Sequence, residues 1–375
     1  MIRVLFFMDG IGNAGGIQEM AIKWMENIDH SKIKIDILTY NHVKSDNYVE
    51  RVKKNGGDVY IIESYQDKGK FFESLKQTSK FFKQHHYDIL HAHSSSKALF
   101  VLYYAKRAGI ATRILHSHSA NFTMQNKIVR YIAMALKKPS CLLATDYFAC
   151  SSEAGQFLFG KKICNSDSYH IVHNAINLKD FSPINDYKQR FCQQMNIEID
   201  ALIIGNVGRF MPVKNHQFLI DVFEEVVKID KKVHLVLIGN GKLESEIKKQ
   251  VEQKGISHNV SFMGFRTDVN EIVNAFDVLV MPSLFEGLPV TAVEAQALGV
   301  PVLFSDTITK EAALLPDSKF VSLNRTPIEW AKYILEYKSH KHVDNPADYI
   351  KRGGYDIVDE TKKLQEFYIS KLEHE

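Results

Sequence analysis

The run Asp277-Val-Leu-Val-Met281-Pro282-Ser-Leu-Phe-Glu286-Gly-Leu-Pro289-Val-Thr-Ala-Val-Glu294-Ala-Gln-Ala-Leu298-Gly299-Val-Pro301 holds a strand, a loop and a helix in one line of sequence. Residues 277–281 form a short β-branched apolar run, the pattern of a strand buried on both faces of a parallel sheet. Pro289 suits the first position of the following helix, Gly299 its C-terminal cap, and Pro301 prevents continuation. In open parallel α/β sheets, ligands bind where strands end and helices begin. The N–H groups of Gly287, Leu288 and Val290 would point out of the helix N-terminus, where an anion can be held. Glu286 immediately precedes them, and Glu294, one turn beyond Val290, shares their face. Two carboxylates beside an anion site suit the vicinal hydroxyls of a ribose and a sugar; the structural alternative is a capping glutamate and an ordinary surface glutamate.

Outward from this unit the same alternation fills the chain. Strands are expected over 2–8, 34–40, 58–63, 87–91, 112–116, 147–150 and 169–172, then over 201–207, 233–238, 259–263, 277–281 and 301–305. Amphipathic segments such as 17–28, 71–85, 216–228, 242–254 and 268–275 lie between them. The pattern pauses between residues 176 and 200, where Asn, Asp, Pro183 and mixed charge replace strand-like sequence. The expectation is α/β: two doubly wound Rossmann-like domains, 1–175 and 201–354, joined by a linker at 176–200 with a cleft between them. The tail 355–375 reads as a helix, with Ile357, Leu364, Phe367 and Leu372 at helical spacing.

The first strand runs into Asp9-Gly-Ile-Gly-Asn-Ala-Gly-Gly16, which matches G-x-G-x-x-G, with Asp36 downstream as a candidate ribose acid. The paired Gly15 and Gly16 at a helix start can hold a phosphate, or only make a tight turn. Two strands end in H-x-H, His91-Ala-His93 and His116-Ser-His118. A metal is one reading of four histidines, but no Cys or tightly spaced carboxylates complete a ligand set, and contact with substrate at a cleft edge is the other reading. Asn174, after the strand 169–172, can stabilise its turn or meet a ligand. The strand 201–207 runs into Gly208-Arg209-Phe210-Met-Pro-Val-Lys214-Asn215-His216, which sets a guanidinium fork and a point charge on one strand–helix loop, a pairing that suits a diphosphate. The turns Ile238-Gly-Asn-Gly241 and Met263-Gly-Phe265 allow close approach of a ligand to backbone, or are simply turns.

A chain of 375 residues with 45% apolar and 24% charged residues is a globular chain of more than one domain. Its longest uninterrupted apolar run, Ala98 to Ala105, is far short of the roughly 20 residues that span a bilayer. Four cysteines without C-x-x-C spacing read as reduced thiols of a cytosolic protein. The net charge of +3 hides an asymmetry: residues 1–180 carry 24 Lys+Arg against 16 Asp+Glu, and the remainder 23 against 28. The basic first half is expected to face something anionic, whether a phosphorylated substrate, anionic lipid or nucleic acid. The segment Met124–Lys138 sets Lys127, Arg130, Lys137 and Lys138 against Ile128, Tyr131, Ile132 and Leu136, which suits either an anionic membrane leaflet or an ordinary helix with a solvated basic face.

These motifs together resemble the retaining family-4 glycosyltransferases of GT-B fold, over essentially the whole chain and most strongly from Gly205 to Asp306. Glu286 and Glu294 match the paired-glutamate signature, Arg209 and Lys214 the diphosphate-binding pair, and Gly15-Gly16 the N-terminal phosphate loop. The opening Met1–Asn27 and the run His173-Asn-Ala-Ile-Asn-Leu-Lys-Asp-Phe181 also resemble bacterial exopolysaccharide and capsule transferases. The resemblance implies that Glu294 binds the ribose and Glu286 the donor sugar's hydroxyls, that Arg209 and Lys214 neutralise the departing diphosphate, and that His118 lies near the transferred sugar. Asn174 occupies the position of the family's hinge Asn, here followed by Ala175 instead of Gly. It further implies an N-terminal acceptor domain, a C-terminal donor domain, and a C-terminal helix that crosses back.

The expected reaction moves a hexose or N-acetylhexosamine from a nucleotide-diphosphate sugar, taken as a UDP-sugar, to a lipid-linked or oligosaccharide acceptor in surface polysaccharide biosynthesis. No cofactor and no metal are expected, because no two aspartates form the Asp-x-Asp on which metal-using enzymes of this kind commonly rely. Nucleic acid is not an expected partner, and the expected location is the cytoplasm, with peripheral docking at the inner face of the cell membrane left open. Sugar-nucleotide epimerases or hydrolases of the same fold, and a non-catalytic partner subunit, are the alternatives.

Overall fold

The structure is a computed structural model that describes every residue except 11–15, 41–45, 94–96, 119–126, 340–342 and 374–375. The chain divides into two compact units, Met1–Ala175 with Ile357–Glu375, and Ile176–Asp356.

The first unit is built on seven parallel strands: β1 (Ile2–Met8), β2 (Ile33–Tyr40), β3 (Val59–Ile62), β4 (Ile89–Ala92), β5 (Thr112–Ser117), β6 (Asp146–Ala149) and β7 (Tyr169–Ile171), in the order β3-β2-β1-β4-β5-β6-β7. Strand side chains alternate between faces, and β1 feeds two cores in turn. Val4, Phe6 and Met8 pack with Trp24, Leu364 and Tyr368 on one side. Leu5 and Phe7 pack with Val101, Leu102 and Phe81 on the other. The second unit repeats the plan with β8 (Leu202–Val207), β9 (Val233–Ile238), β10 (Val260–Gly264), β11 (Val278–Met281), β12 (Val302–Ser305) and β13 (Lys319–Val321), ordered β10-β9-β8-β11-β12-β13. In each sheet the strand order reverses beside the first strand, at β1/β4 and at β8/β11, and such a reversal opens a crevice between the loops that leave the two strands.

Twelve of these strands lie where the alternation placed them; β13, three residues with Lys319 exposed, has too little apolar pattern to stand out. The 176–200 segment is not a free connection. It carries the helix Tyr187–Met195, whose Phe191 and Cys192 are buried in the second core, and Lys188 Nζ pairs with Asp277 at 2.7 Å. The helix is inconspicuous in the sequence because its contact face, Tyr187, Phe191, Cys192 and Met195, alternates with Lys, Arg and three Gln, and only Phe191 and Cys192 are fully buried. Ile176 N–H donates to the Tyr355 carbonyl at 2.9 Å, so both ends of the second unit meet.

The tail forms the helix Ile357–Glu373 and packs on the first unit. Its deepest anchor is Tyr368, fully buried, while Phe367 is only partly so. Glu360, also buried, accepts from the His173 N–H at 3.1 Å and from Lys363 at 2.6 Å.

The helix after β11 runs Val290–Ala297, with Pro289 as N-cap, so it starts one residue later than the sequence, which put Pro289 at its first position, leads one to expect. Gly299 has φ +84, and Val300 N–H reaches back to the Ala295 carbonyl at 3.0 Å. This is the left-handed glycine cap that a side chain would strain. Gln296, wholly buried in the same helix, donates to the carbonyls of Ala292 and Ala312 and accepts from Leu314 N–H, Leu315 N–H and Ser318 Oγ. One side chain thus satisfies a loop that has no ladder of its own. Gln296→Leu would strand the N–H donors of buried Leu315 and partly buried Leu314; we expect a loss of about 3 kcal/mol in urea unfolding, and a variant as stable as wild type would show that the loop is held otherwise.

Candidate active site

The loops that leave β8 and β11 flank the strand-order reversal of the second unit, and they are knitted together. Leu284 N–H donates to the Val213 carbonyl at 2.8 Å, and Asn215 Nδ2 to the Pro282 carbonyl at 3.1 Å. Asn215 sits at φ +56, ψ +40, a conformation that asparagine tolerates better than most residues. It ends the short turn Pro212–Lys214 and starts the helix His216–Ile229, turning the chain so that Lys214 faces the β11 loop. Lys214 Nζ meets Glu286 Oε1 at 2.6 Å, and the same oxygen accepts from Ser283 Oγ at 2.9 Å. Ser283 is held in turn: its carbonyl accepts from Ser305 Oγ at 2.6 Å and from Thr307 Oγ1 at 2.7 Å.

A third loop supports the first. Phe210 N–H donates to the Asn240 carbonyl and Leu243 N–H to the Phe210 carbonyl. Gly239 adopts φ +138, and a Cβ there would lie 2.1 Å from the Gly208 carbonyl oxygen, so only glycine lets the two backbones approach. Arg209 projects exposed from this layer with no side-chain partner among the described residues, beside the half-buried Lys214. Gly287, Leu288 and Val290 lie at the head of the helix Val290–Ala297, whose N-terminus carries the positive end of its dipole. Glu294 lies partly exposed in the second turn of that helix. The structure therefore joins Lys214 to Glu286 directly and groups Arg209 and Glu294 on the same loop–helix frame. Sequence reading did not find Ser283, Ser305, Thr307 and Gln296, because buried hydroxyls and amides carry no periodic signal.

The first unit holds the other candidates. Gly15 lies outside the described residues; Gly16 begins the helix Gly16–Asn27. Asp36, the candidate ribose acid, is fully buried and committed to Tyr87 Oη at 2.9 Å, Asp58 N–H at 2.9 Å and Arg3 at 3.3 Å. It is a structural pin, which removes the ribose acid that a dinucleotide site would need beside the glycine loop.

The four histidines at the ends of β4 and β5 form one stacked cluster. His91 lies 4.2 Å from His93 and His116 4.0 Å from His118, ring centre to ring centre. Trp24 lies 5.6 Å from His116 with the planes 18° apart. His118 Nδ1 faces Asn174 Oδ1 at 3.3 Å, so the two sequence-derived candidates of this unit do meet. Nitrogens of His91, His93 and His116 lie within 4.8 Å of one another. However, stacked rings aim their in-plane lone pairs side by side and not at one point, and His91 Nε2 and His116 Nδ1 already bond each other at 3.0 Å. That is the geometry of a hydrogen-bonded cluster and a poor cage for a tetrahedral metal.

Two family models match the chain, "Glycosyltransferase Family 4" over residues 14–180 and "Glycosyl transferases group 1" over residues 188–354. The putative glycosyltransferase EpsF of Bacillus subtilis is 33% identical over 312 residues, 82% of this chain and 80% of that protein. The chain belongs to glycosyltransferase family 4. Among its other relatives is the Escherichia coli UDP-Gal:alpha-D-GlcNAc-diphosphoundecaprenol alpha-1,3-galactosyltransferase, 27% identical over 63% of this chain and 62% of that one. The solved structure of Anabaena HepE in complex with UDP superimposes with a TM-score of 0.80 at 16% identity, covering 98% of this chain and all of that one. The family-4 enzyme described here therefore has the GT-B fold of two parallel-sheet Rossmann-like units, and it is a glycosyltransferase. No described helix is long and apolar enough to cross a membrane.

Burial holds His91, His93 and His116 of this enzyme well below the ordinary 6.5 and brings His118 down to about 4, against a smaller upward pull from Asn174. An unfolded histidine takes a proton near pH 6.5, while the folded cluster does not until far lower. The stability these groups support is complete above pH 6.5 and falls as pH drops toward 4, by about 1.4 kcal/mol per pH unit for each histidine. Urea titrations at pH 7 and pH 5 should show this steep loss; equal stability at the two values would mean that the cluster is already charged or open.

Proposed function

We propose that this enzyme is a retaining, metal-independent transferase that moves a hexose or N-acetylhexosamine from a UDP-sugar to a lipid-linked or oligosaccharide acceptor in surface polysaccharide biosynthesis. The observation that carries the reading is the Lys214–Glu286 pair at the head of the helix Val290–Ala297. Cleavage of a sugar–phosphate bond builds negative charge on the diphosphate. Arg209 as a fork, Lys214 as a point charge and the helix N-terminus receive that charge, and preorganised donors of this kind are the main source of such stabilisation. When the diphosphate takes Lys214, Glu286 is released to accept hydrogen bonds from the donor sugar, while Glu294 accepts from the ribose. Gly15 and Gly16 add a phosphate contact from the first unit, and His118 with Asn174 lines the side of the transferred sugar. These cations and amides do the work that a bound metal does elsewhere.

The choice of UDP and of a lipid-linked acceptor is supported by the printed activity of the Escherichia coli relative and by UDP in HepE. An α-linked product from an α-configured donor is retention, and that relative is named for an alpha-1,3 linkage.

A peripheral membrane site for the acceptor is supported by charge. Residues 63–168 carry 15 Lys+Arg against 7 Asp+Glu, so the whole positive excess of the first half lies there. On the helix Lys127–Leu143, Tyr131, Met134 and Leu142 are exposed. A groove of about 630 Å³ beside it is lined by Leu142, Leu158 and Ile163 and rimmed by Lys137, Lys138 and Lys162. Exposed apolar side chains within a ring of lysines suit an anionic leaflet, here the inner face of the cell membrane.

A thermal-shift panel of UDP-, GDP- and ADP-sugars tests the donor, since cognate binding raises the unfolding temperature. UDP-sugars should raise it, and Arg209→Ala should weaken the effect at least about tenfold in concentration. A response to GDP- or ADP-sugars alone would overturn the nucleotide assignment, and release of free sugar or an isomer without acceptor would overturn transfer. For the membrane, the enzyme should float with phosphatidylglycerol vesicles and not with phosphatidylcholine vesicles, and Leu142→Glu should abolish flotation. Equal partition between the two lipids would remove the electrostatic part of the reading.

A further inference from the structure

His93 is buried, and the reading of His118 and Asn174 as sugar-side residues gives it no role. Its Nδ1 lies 3.1 Å from His118 Nε2, and His118 Nδ1 lies 3.3 Å from Asn174 Oδ1. A neutral imidazole has one N–H donor and one lone-pair acceptor, so the protons in this chain can be ordered in only two ways.

In the first order, His93 Nδ1–H donates to His118 Nε2, His118 Nδ1–H donates to Asn174 Oδ1, and His93 Nε2 keeps a bare lone pair. In the second, the Asn174 amide is turned over, every donor reverses, and His93 Nε2 carries a proton. That nitrogen is buried without a partner among the described residues. A buried orphan N–H is rarer and costlier than an under-used acceptor. The first order is therefore the stable one. The parallel chain, Tyr368 Oη to His91 Nδ1 at 2.6 Å and His91 Nε2 to His116 Nδ1 at 3.0 Å, shares no hydrogen bond with this one and is ordered separately. Desolvation keeps all four rings neutral, so neither order is disturbed by a third proton.

We infer that His93 is a positioning residue: it fixes His118 as the Nδ1–H tautomer and thereby turns the Asn174 amide so that its two Nδ2–H donors are left for a ligand oxygen. This rests on the proposed placing of His118 and Asn174 on the sugar side, and it makes His118 a bridge between His93 and Asn174. Both of its ring nitrogens are engaged within the unit, and the hydrogen-bond donor offered to a sugar hydroxyl or phosphate oxygen is the asparagine. No proton leaves the network in the reaction.

Nitrogen NMR of the full-length enzyme with ¹⁵N-labelled histidine reads the tautomer directly, without substrate. The wild type should show His118 protonated at Nδ1 and bare at Nε2; a His118 protonated at Nε2 overturns the inference whatever the kinetics. His93→Asn, whose amide N–H can occupy the place of Nδ1–H, should keep that tautomer and hold kcat within about threefold. His93→Leu should mix the His118 tautomers and lower kcat about tenfold or more with the donor KM little changed. Full kcat in His93→Leu also overturns the inference. If His93→Leu fails to fold, the wild-type tautomer and the His93→Asn variant decide. An Asn174→Ala enzyme of full activity beside the expected wild-type tautomer would remove Asn174 from the sugar side, a failure of the functional reading distinct from that of the proton order.

Discussion

The Lys214–Glu286 contact, 2.6 Å between Nζ and Oε1, is the interaction around which the candidate site of the second unit is arranged. It spans the loops of β8 and β11, which leave the sheet on either side of the strand-order reversal. Everything near it fixes one of the two partners. The left-handed Asn215 turns the β8 loop and bonds the β11 loop; Gly239 lets the β9 loop lie against Gly208; Ser283 holds Glu286 from below. Half-buried opposite charges lose solvation that their attraction need not repay, so this much support is better understood as the cost of holding two opposite charges ready. In the proposed function the pair is a resting arrangement, in which the lysine assigned to the diphosphate and the carboxylate assigned to the sugar neutralise each other until the donor arrives.

Much of this was legible in the amino-acid sequence, and the reason is physical. Parallel strands buried on both faces are continuous apolar runs, so β1, β8, β9 and β11 announce themselves, and the rule that ligands bind past their carboxyl ends led directly to Arg209, Lys214, Glu286 and Glu294. Pro289, Gly299 and Pro301 bounded the helix to within one residue, because capping depends on local backbone chemistry alone. What did not show was every feature whose meaning depends on a distant partner. The helix Tyr187–Met195 reads as linker because its core-facing Tyr187, Phe191, Cys192 and Met195 sit among polar and charged residues, and its anchor, Lys188, is paired with Asp277 far along the chain. Gln296 sits in an Ala-rich helix where nothing marks it as the acceptor for Leu314 and Leu315. Asp36 had the right spacing for a ribose acid, and only burial against Tyr87 and Arg3 shows that it is a pin.

The histidines illustrate the same boundary. Two H-x-H motifs at neighbouring strand ends could be read as metal ligands or as cleft-edge groups, since spacing fixes only that each pair shares a face. The structure adds the stacking, Trp24 across the rings, and Tyr368 arriving from the far end of the chain. With Tyr368 in place, the C-terminal helix is more than a cover for the first unit's core: it supplies the phenol at one end of one of the two hydrogen-bonded chains. The adjacent chain ends on Asn174, at the close of the unit's first segment, Met1–Ala175. Burial, which keeps the rings neutral, is what allows a fixed order of donors and acceptors to persist.

The central claim is that Lys214 is shared between Glu286 and the donor's diphosphate, and calorimetry of UDP without its sugar tests it most directly. Glu286→Gln removes the competitor and leaves the lysine, so it should bind UDP several-fold more tightly than wild type, whereas Lys214→Met should bind about tenfold more weakly. A Glu286→Gln enzyme that binds UDP as weakly as Lys214→Met would contradict the account, because the glutamate would then be holding the nucleotide and not waiting for the sugar.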